Sequence, residues 1–137
     1  GDHRDLHSFP TRRSSDLSGV APEVMGLGPV PAINKALHRA GMKLSEMEII
    51  ELNEAFAAQS IGVIERLCDK HGVSREWINE RCNIHGGAIA LGHPIGASGN
   101  RILVSLVHAL KMYDKTYGLA SLCIGGGMGT AIIIKKY

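Results

Sequence analysis

Three short stretches of this 137-residue chain hold side chains whose types and spacing could do chemistry. The densest runs from Asn83 to Gly99 and contains five glycines, Pro94, His85 and His93. Glycine permits positive φ and lets a ligand or a second backbone segment approach closely. Pro94 fixes its own φ and keeps His93 out of helical geometry, which places the imidazole on a rigid loop. A helix starting near Ala97 or Ser98 would aim its free N–H groups back into that loop. An imidazole held beside such donors suits proton transfer near neutral pH. Taken alone, the stretch equally fits a tight turn between buried elements, with His93 a hydrogen-bonded bystander.

Asn53 opens the second stretch, Asn-Glu-Ala-Phe-Ala. At a strand-to-helix junction its amide can cap the helix, or it can orient a water or a substrate oxygen. Glu54 can pair with a neighbour or favour the helix N-terminus. The third stretch is Cys123-Ile-Gly-Gly-Gly-Met-Gly. A buried strand cysteine is usually an inert small hydrophobe. A glycine turn just after it would instead expose the thiol and set backbone N–H groups beside it, which suits a proton-transferring thiol and an oxyanion hole. Cys68-x-x-His71 and Cys82-x-x-His85 offer four zinc-ligating side chains. They lack a familiar finger spacing, and Cys68 continues the apolar face of its helix. Neither glycine-rich stretch fits a dinucleotide fingerprint or a P-loop.

The elements that must position these residues follow from periodicity. After the Gly/Pro loop Met25 to Pro31, residues Ala32, Ile33, Ala36, Leu37 and Ala40 mark one apolar helical face, and Gly41 stops the helix. Ile49 to Leu52 reads as a short buried strand delivering Asn53. Glu54 to Lys70 reads as a helix with Phe56, Ala57, Ser60, Ile61, Ile64, Leu67 and Cys68 inward, ended by Gly72, and Ser74 can cap a short helix through Arg81. Beyond the central loop, Ile102, Leu103, Leu106, Val107 and Leu110 give a second strong helical face. Tyr117 to Ile124 is a strand, Gly125 to Gly129 a turn, and Thr130 to Lys136 a β-branched final strand. Alternating helices and strands closed by a hairpin indicate an α/β layered domain with a mixed sheet. Asn53, His93 and Gly125 fall at element ends, where open α/β sheets place ligand sites.

Composition narrows the classes. The chain is 45% hydrophobic with a net charge of +2, too mild for a nucleic-acid or membrane binder. Its apolar runs are far short of a bilayer span. Three cysteines without a disulfide-framework spacing suggest a reducing cytoplasm.

Asn53-Glu-Ala-Phe-Ala, Gly86-Gly-Ala-Ile-Ala-Leu-Gly-His-Pro-Ile-Gly-Ala-Ser-Gly and Cys123-Ile-Gly-Gly-Gly-Met-Gly, in that order, resemble the thiolase family. The Met25 to Ala32 loop resembles that family's Met-Gly-x-Gly-Pro-x-Pro-Ala. The match runs from about Ser18 to Tyr137 and resembles most the biosynthetic, acetoacetyl-CoA-forming branch. The resemblance implies a thiolase-like C-terminal domain and the reversible Claisen condensation of two acetyl-CoA to acetoacetyl-CoA and CoA. No cofactor is implied beyond the CoA thioester as substrate, nor nucleic acid or membrane, and the complete protein is expected to be a dimer or tetramer. By the same resemblance Cys123 removes and returns the α-proton, and His93 activates an acylated cysteine and binds the thioester oxygen. Asn53 holds a water at that oxyanion site, and the Gly125 N–H serves the other oxyanion hole. Alternatives are a non-catalytic acyl-CoA- or lipid-binding relative, a degradative 3-ketoacyl-CoA thiolase, and a small zinc-binding interaction module.

The departures are as informative. The resembling part lacks the family's N-terminal half, with its acylated cysteine, so the chain alone is expected to be inactive and poorly stable. Gly1 to Leu17 shows neither helical nor strand periodicity. It reverse-translates without mismatch into a string resembling a short-read sequencing adapter. The expectation is therefore a non-native segment over residues 1–17, a thiolase C-terminal domain over 18–137, and a sheet truncated at its first strand.

Overall fold

The computed structural model describes residues 11–136. Its four strands, β1 (Thr11–Gly19), β2 (Ile49–Leu52), β3 (Tyr117–Ile124) and β4 (Met128–Lys135), form one mixed sheet in the order β1-β4-β3-β2. β3 and β4 make the expected closing hairpin, antiparallel from Tyr117↔Lys135 to Ile124↔Met128. β2 runs parallel to β3, from Ile49↔Gly118 to Leu52↔Ser121. Parallel neighbours require a crossover, and the chain between them supplies α2 (Ala57–His71), α3 (Arg75–Asn79), α4 (Ala88–Leu91) and α5 (Ser98–Met112). α1 (Pro29–Ala40) precedes β2.

Strand alternation sorts the core into two layers. Ile50, Leu52, Leu119 and Ile133 pack with Ala32, Ile33 and Leu37 of α1 and with Val63 and Leu67 of α2. On the opposite face Ile49, Ala120 and Ile134 pack with Ile102, Leu106 and Leu110 of α5. Gly41 (φ 65°) and Gly72 (φ 64°) close α1 and α2 in the left-handed conformation, as their positions predict. Ser74 caps α3, its Oγ accepting from the Trp77 N–H at 3.1 Å. Two glycines let α1 meet the sheet: a Cβ on Gly129 would lie 2.1 Å from the Gly28 carbonyl oxygen. No helix among the described residues is long and apolar enough to cross a membrane.

Two expectations are corrected. α2 begins at Ala57, not Glu54, and its buried residues are Gln59, Val63 and Leu67, while Phe56 and Ile61 are exposed. The helix is turned because the 3-10 turn Pro22–Leu27 packs on it: a Cβ on Gly26 would lie 2.8 Å from Gln59 Cγ, and one on Gly62 would lie 3.3 Å from Leu27 Cδ2. The buried Gln59 amide is satisfied locally, accepting from the Ala55 N–H at 3.2 Å.

The second correction concerns the sheet edge. Thr11–Gly19 fills the place of the first strand, pairing antiparallel with β4 from Thr11↔Lys135 to Gly19↔Met128, with an irregularity between Arg12 and Ser14. An edge ladder is built from main-chain groups and tolerates side chains that carry no strand pattern. That is why periodicity gave no sign of it: inward positions are polar, with Ser14 and Ser18 buried and Asp16 paired to Arg39 of α1 at 3.0 Å. The part of the segment before Thr11 lies outside the described residues.

Candidate functional site

Asn53 leaves the C-terminal end of β2, anchored by its N–H to the Ser121 carbonyl at 2.9 Å, and is only 1% exposed. Because β2 and β3 are parallel and Leu52 pairs with Ser121, Cys123 leaves the sheet at the same end. The first turn of α5 arrives there too, with Gly99 set so that a Cβ would lie 3.8 Å from Leu122 Cδ1. His93 stands on the exposed loop between α4 and α5. Asn53 therefore does not cap α2, which starts four residues later with Phe56 in the cap position. Its side chain turns to His93 instead.

Polar contacts hold both ring nitrogens of His93. The Ser98 Oγ lies 2.5 Å from His93 Nδ1 and 3.2 Å from the Pro94 carbonyl oxygen, within hydrogen-bond reach of both. On the other side of the ring, Nε2 faces the Asn53 amide Nδ2 at 3.4 Å. A neutral imidazole so held can take a proton at Nε2, and once protonated it becomes a donor at that same atom.

Further bonds lace the Asn53 stretch to the central loop. Glu54 Oε2 accepts from the Ile89 N–H at the start of α4 at 3.0 Å, and a Cβ on Gly87 would lie 2.2 Å from that oxygen. Asn83 (φ 51°) acts as a strand partner to Leu52, its Oδ1 accepting from the Leu52 N–H at 2.9 Å and its Nδ2 donating to the Leu52 carbonyl at 2.8 Å. Around them Phe56, Ile89, Leu91 and Ile95 are exposed, Ile95 completely.

Cys123 is 7% exposed, and burial pushes its thiol above the ordinary cysteine value, against a smaller opposing backbone hydrogen bond. Gly125 is exposed, and a Cβ there would meet nothing within 4 Å. The turn's conformational demand falls on Gly126 (φ 83°) and Gly127 (φ 87°), where Gly127 also faces the Val20 carbonyl. Hydrogen bonds join His93, Asn53 and Ser98, whereas Cys123 and Gly125 are brought to the same end by strand register.

The four zinc candidates do not come together. His71 Nε2 bonds Asn34 Oδ1 at 2.8 Å, and His85 Nε2 bonds the Tyr113 hydroxyl at 3.1 Å. Cys68 and Cys82 pack against the α1–α2 core, where burial pushes the Cys82 thiol up to about 12. Among the described residues no cluster of three or more His, Cys, Asp or Glu side chains could hold a metal. A surface groove lies away from the site, between β1 and α1 beside Asp16, Lys35 and His38. Sequence reading did not single out Ser98 or Asn83. A hydroxyl at the start of the helix after a loop histidine, and an asparagine opening that loop, are the signals that could have found them.

Comparison with known proteins agrees with this geometry. The sequence matches the family model for the thiolase C-terminal domain over residues 9–136. It is 55% identical to acetyl-CoA acetyltransferase of Escherichia coli over 124 residues, covering 90% of this chain and 29% of that protein. The Bacillus anthracis acetyl-CoA acetyltransferase structure superposes with a TM-score of 0.86 at 40% identity, covering 96% of this chain and 32% of the other. Human mitochondrial 3-ketoacyl-CoA thiolase in complex with CoA gives a TM-score of 0.83 at 43% identity, covering 93% and 30%. The chain thus spans about a third or less of the relatives it matches. The family model and these likenesses place the chain in the thiolase family, as a thiolase C-terminal domain.

Proposed function

We propose that this domain forms part of a CoA-dependent thiolase, an acyl-CoA C-acyltransferase that joins two acetyl-CoA into acetoacetyl-CoA and free CoA, and reverses the reaction by thiolysis. The observation that carries the reading is the Pro94–Ser98–His93–Asn53 chain at the sheet end from which Cys123 also emerges. In the tautomer with hydrogen on Nδ1, directed at the Ser98 hydroxyl, His93 can take the proton of an attacking cysteine thiol at Nε2. The resulting Nε2–H then faces the thioester oxygen on which charge develops. Cys123 takes the α-proton of the second acetyl-CoA, and the carbanion attacks the acyl group held on the first cysteine, releasing that thiolate. Because burial raises the Cys123 thiol, its ionisation requires charge supplied by the assembled site and substrate. Asn53 and the exposed Gly125 N–H are the polar groups for the two oxyanion positions.

The acylated cysteine, the CoA-binding loops and an oligomer interface belong, on this reading, to a further portion of the polypeptide packed over the exposed Phe56, Ile89, Leu91 and Ile95. A cytoplasmic location and the absence of any cofactor complete the proposal. The test is acetoacetyl-CoA thiolysis with free CoA by the complete protein that carries this domain. Turnover should fall about 10²–10⁴-fold in His93→Ala and Cys123→Ala. Near-parental rates in either variant refute the roles. An intact, folded protein without activity favours the non-catalytic acyl-CoA-binding relative, and a preference for longer 3-ketoacyl-CoA favours the degradative branch.

A further inference from the structure

Leu52, Asn53 and Glu54 are successive residues at the exit of β2, and each is bonded to a different point of the segment that carries His93. That segment first runs alongside β2. The Arg81 carbonyl accepts from the Ile50 N–H at 2.9 Å, and the Ile50 carbonyl accepts from the Asn83 N–H at 2.8 Å. In parallel pairing the next main-chain bonds would fall on Leu52. The main chain turns away instead, at Asn83 with φ 51°, and the Asn83 side chain takes over the ladder. Its Oδ1 accepts from the Leu52 N–H at 2.9 Å and its Nδ2 donates to the Leu52 carbonyl at 2.8 Å. A primary amide carries the donor and the acceptor that this edge requires in one side chain.

Leaving the ladder early brings the segment to a second clamp. The Gly86 N–H returns to the Asn83 carbonyl at 2.8 Å, and a Cβ on Gly87 would collide with the Glu54 carboxylate and the Asn83 amide. Glu54 Oε2 then accepts from the Ile89 N–H in the first turn of α4. Two residues beyond α4, His93 meets Asn53 at 3.4 Å and Ser98 at 2.5 Å. Apolar packing within the domain does little to hold this stretch, since Ile89, Leu91 and Ile95 are exposed. Its place is set by polar bonds to the residues on either side of Asn53.

We propose that Asn83 and Glu54 are positioning residues for His93: their clamps on Leu52 and Ile89 fix the start of the histidine-bearing segment to the strand exit that carries Asn53, and so hold the imidazole at the Asn53 amide. The proposal rests on the thiolase reading of that site. The two are separable, because a complete parental protein without thiolysis removes the reading itself, whereas an active parent leaves the clamps to be tested.

The experiment compares the complete parental protein with Asn83→Gly, Glu54→Ala and Glu54→Gln, measuring kcat and KM for acetoacetyl-CoA thiolysis well below each melting temperature. Asn83→Gly tolerates the positive φ and removes only the side-chain clamp. In Asn83→Gly and Glu54→Ala kcat should fall about 10- to 100-fold, because small misplacements of a reacting group carry that penalty. KM should stay within about threefold, since neither residue meets substrate. Glu54→Gln, which keeps an acceptor for the Ile89 N–H, should recover most of kcat. In a His93→Ala background the same substitutions should change the residual rate by less than about twofold, since a residue that acts through the imidazole then has nothing to position. Parental kcat in folded Asn83→Gly or Glu54→Ala, a change confined to KM, or a full further loss in the His93→Ala background overturns the proposal. Should Asn83→Gly fail to fold, the Glu54 variants decide: loss in Glu54→Ala restored in Glu54→Gln supports the clamp, and equal rates in the two overturn it.

Discussion

Ser98→Ala isolates the contact that holds His93 at Nδ1. In the parent, the Ser98 hydroxyl lies 2.5 Å from His93 Nδ1 and 3.2 Å from the Pro94 carbonyl oxygen. Alanine removes both partners from a position only 4% exposed. Two ordinary hydrogen bonds contribute about 1–3 kcal/mol together to stability, which a folded enzyme of this family can lose and still be assayed. The rate effect is larger than a static bond suggests, because His93 becomes cationic when Nε2 takes a proton. Hydrogen bonds to charged groups are worth about 1.5–3 kcal/mol, which converts to a fall of about 10- to 150-fold in kcat. KM should move little, since Ser98 is directed at the imidazole and not at substrate. Complete loss of His93 sets the ceiling at about 10²–10⁴-fold. The assay is steady-state thiolysis of acetoacetyl-CoA by the complete protein, with Ser98→Thr as a variant that restores the hydroxyl. Imidazole nitrogen chemical shifts provide a reading independent of turnover: hydrogen on Nδ1 in the parent and a mixture in Ser98→Ala. A kcat within twofold of the parent, with unchanged shifts, refutes the relay.

Three further perturbations test other parts of the argument. The Glu51 carboxyl, raised from 4.5 to about 7 in the fold, binds its proton more tightly in the native state than in the unfolded chain. The native state is therefore favoured most below pH 4.5, and it loses roughly 3 kcal/mol as pH rises to about 7. Glu51→Gln should remove this slope, so its melting temperature should gain on the parent steadily from pH 5 to 7.5, and parallel curves would contradict the shift. Alkylation of Cys123 by iodoacetamide should be slow at pH 7 and accelerate as pH climbs through the alkaline range, because burial disfavours the thiolate; fast, pH-independent labelling would disprove it. Gly129→Ala should destabilise by about 3 kcal/mol or more in chemical denaturation, since its Cβ would collide with the Gly28 backbone. Gly125→Ala, with open space around its Cβ, should fold like the parent, and equal stability of the two variants would remove the argument for the close α1–β4 crossing.

Much of the frame is local information, and local information is legible in a sequence. The strands Ile49–Leu52 and Tyr117–Ile124 fall where apolar runs end at turn residues, and α1 stops where Gly41 supplies a positive φ. The three motifs, too, could be read as one site, because their residue types are unusual and their order is specific. What a single chain pattern cannot carry is decided by what packs across from it. The face of α2 is set by the Pro22–Leu27 turn lying on Gln59, and no periodicity within α2 records that neighbour. Polar Thr11–Gly19 becomes a strand because β4 offers a backbone ladder that is indifferent to side chains.

The site divides the same way. Residue types and spacing, together with the resemblance to the thiolase family, nominated Asn53, His93, Cys123 and Gly125. Only the tertiary structure decided that Asn53 turns from α2 to His93, that Ser98 meets the imidazole at Nδ1, and that Glu51 is buried without a hydrogen-bond partner. The physical reason is that a hydrogen bond or charge pair is a property of two groups and the distance between them. A sequence names the groups, and the packing of β2, β3 and α5 supplies the distance.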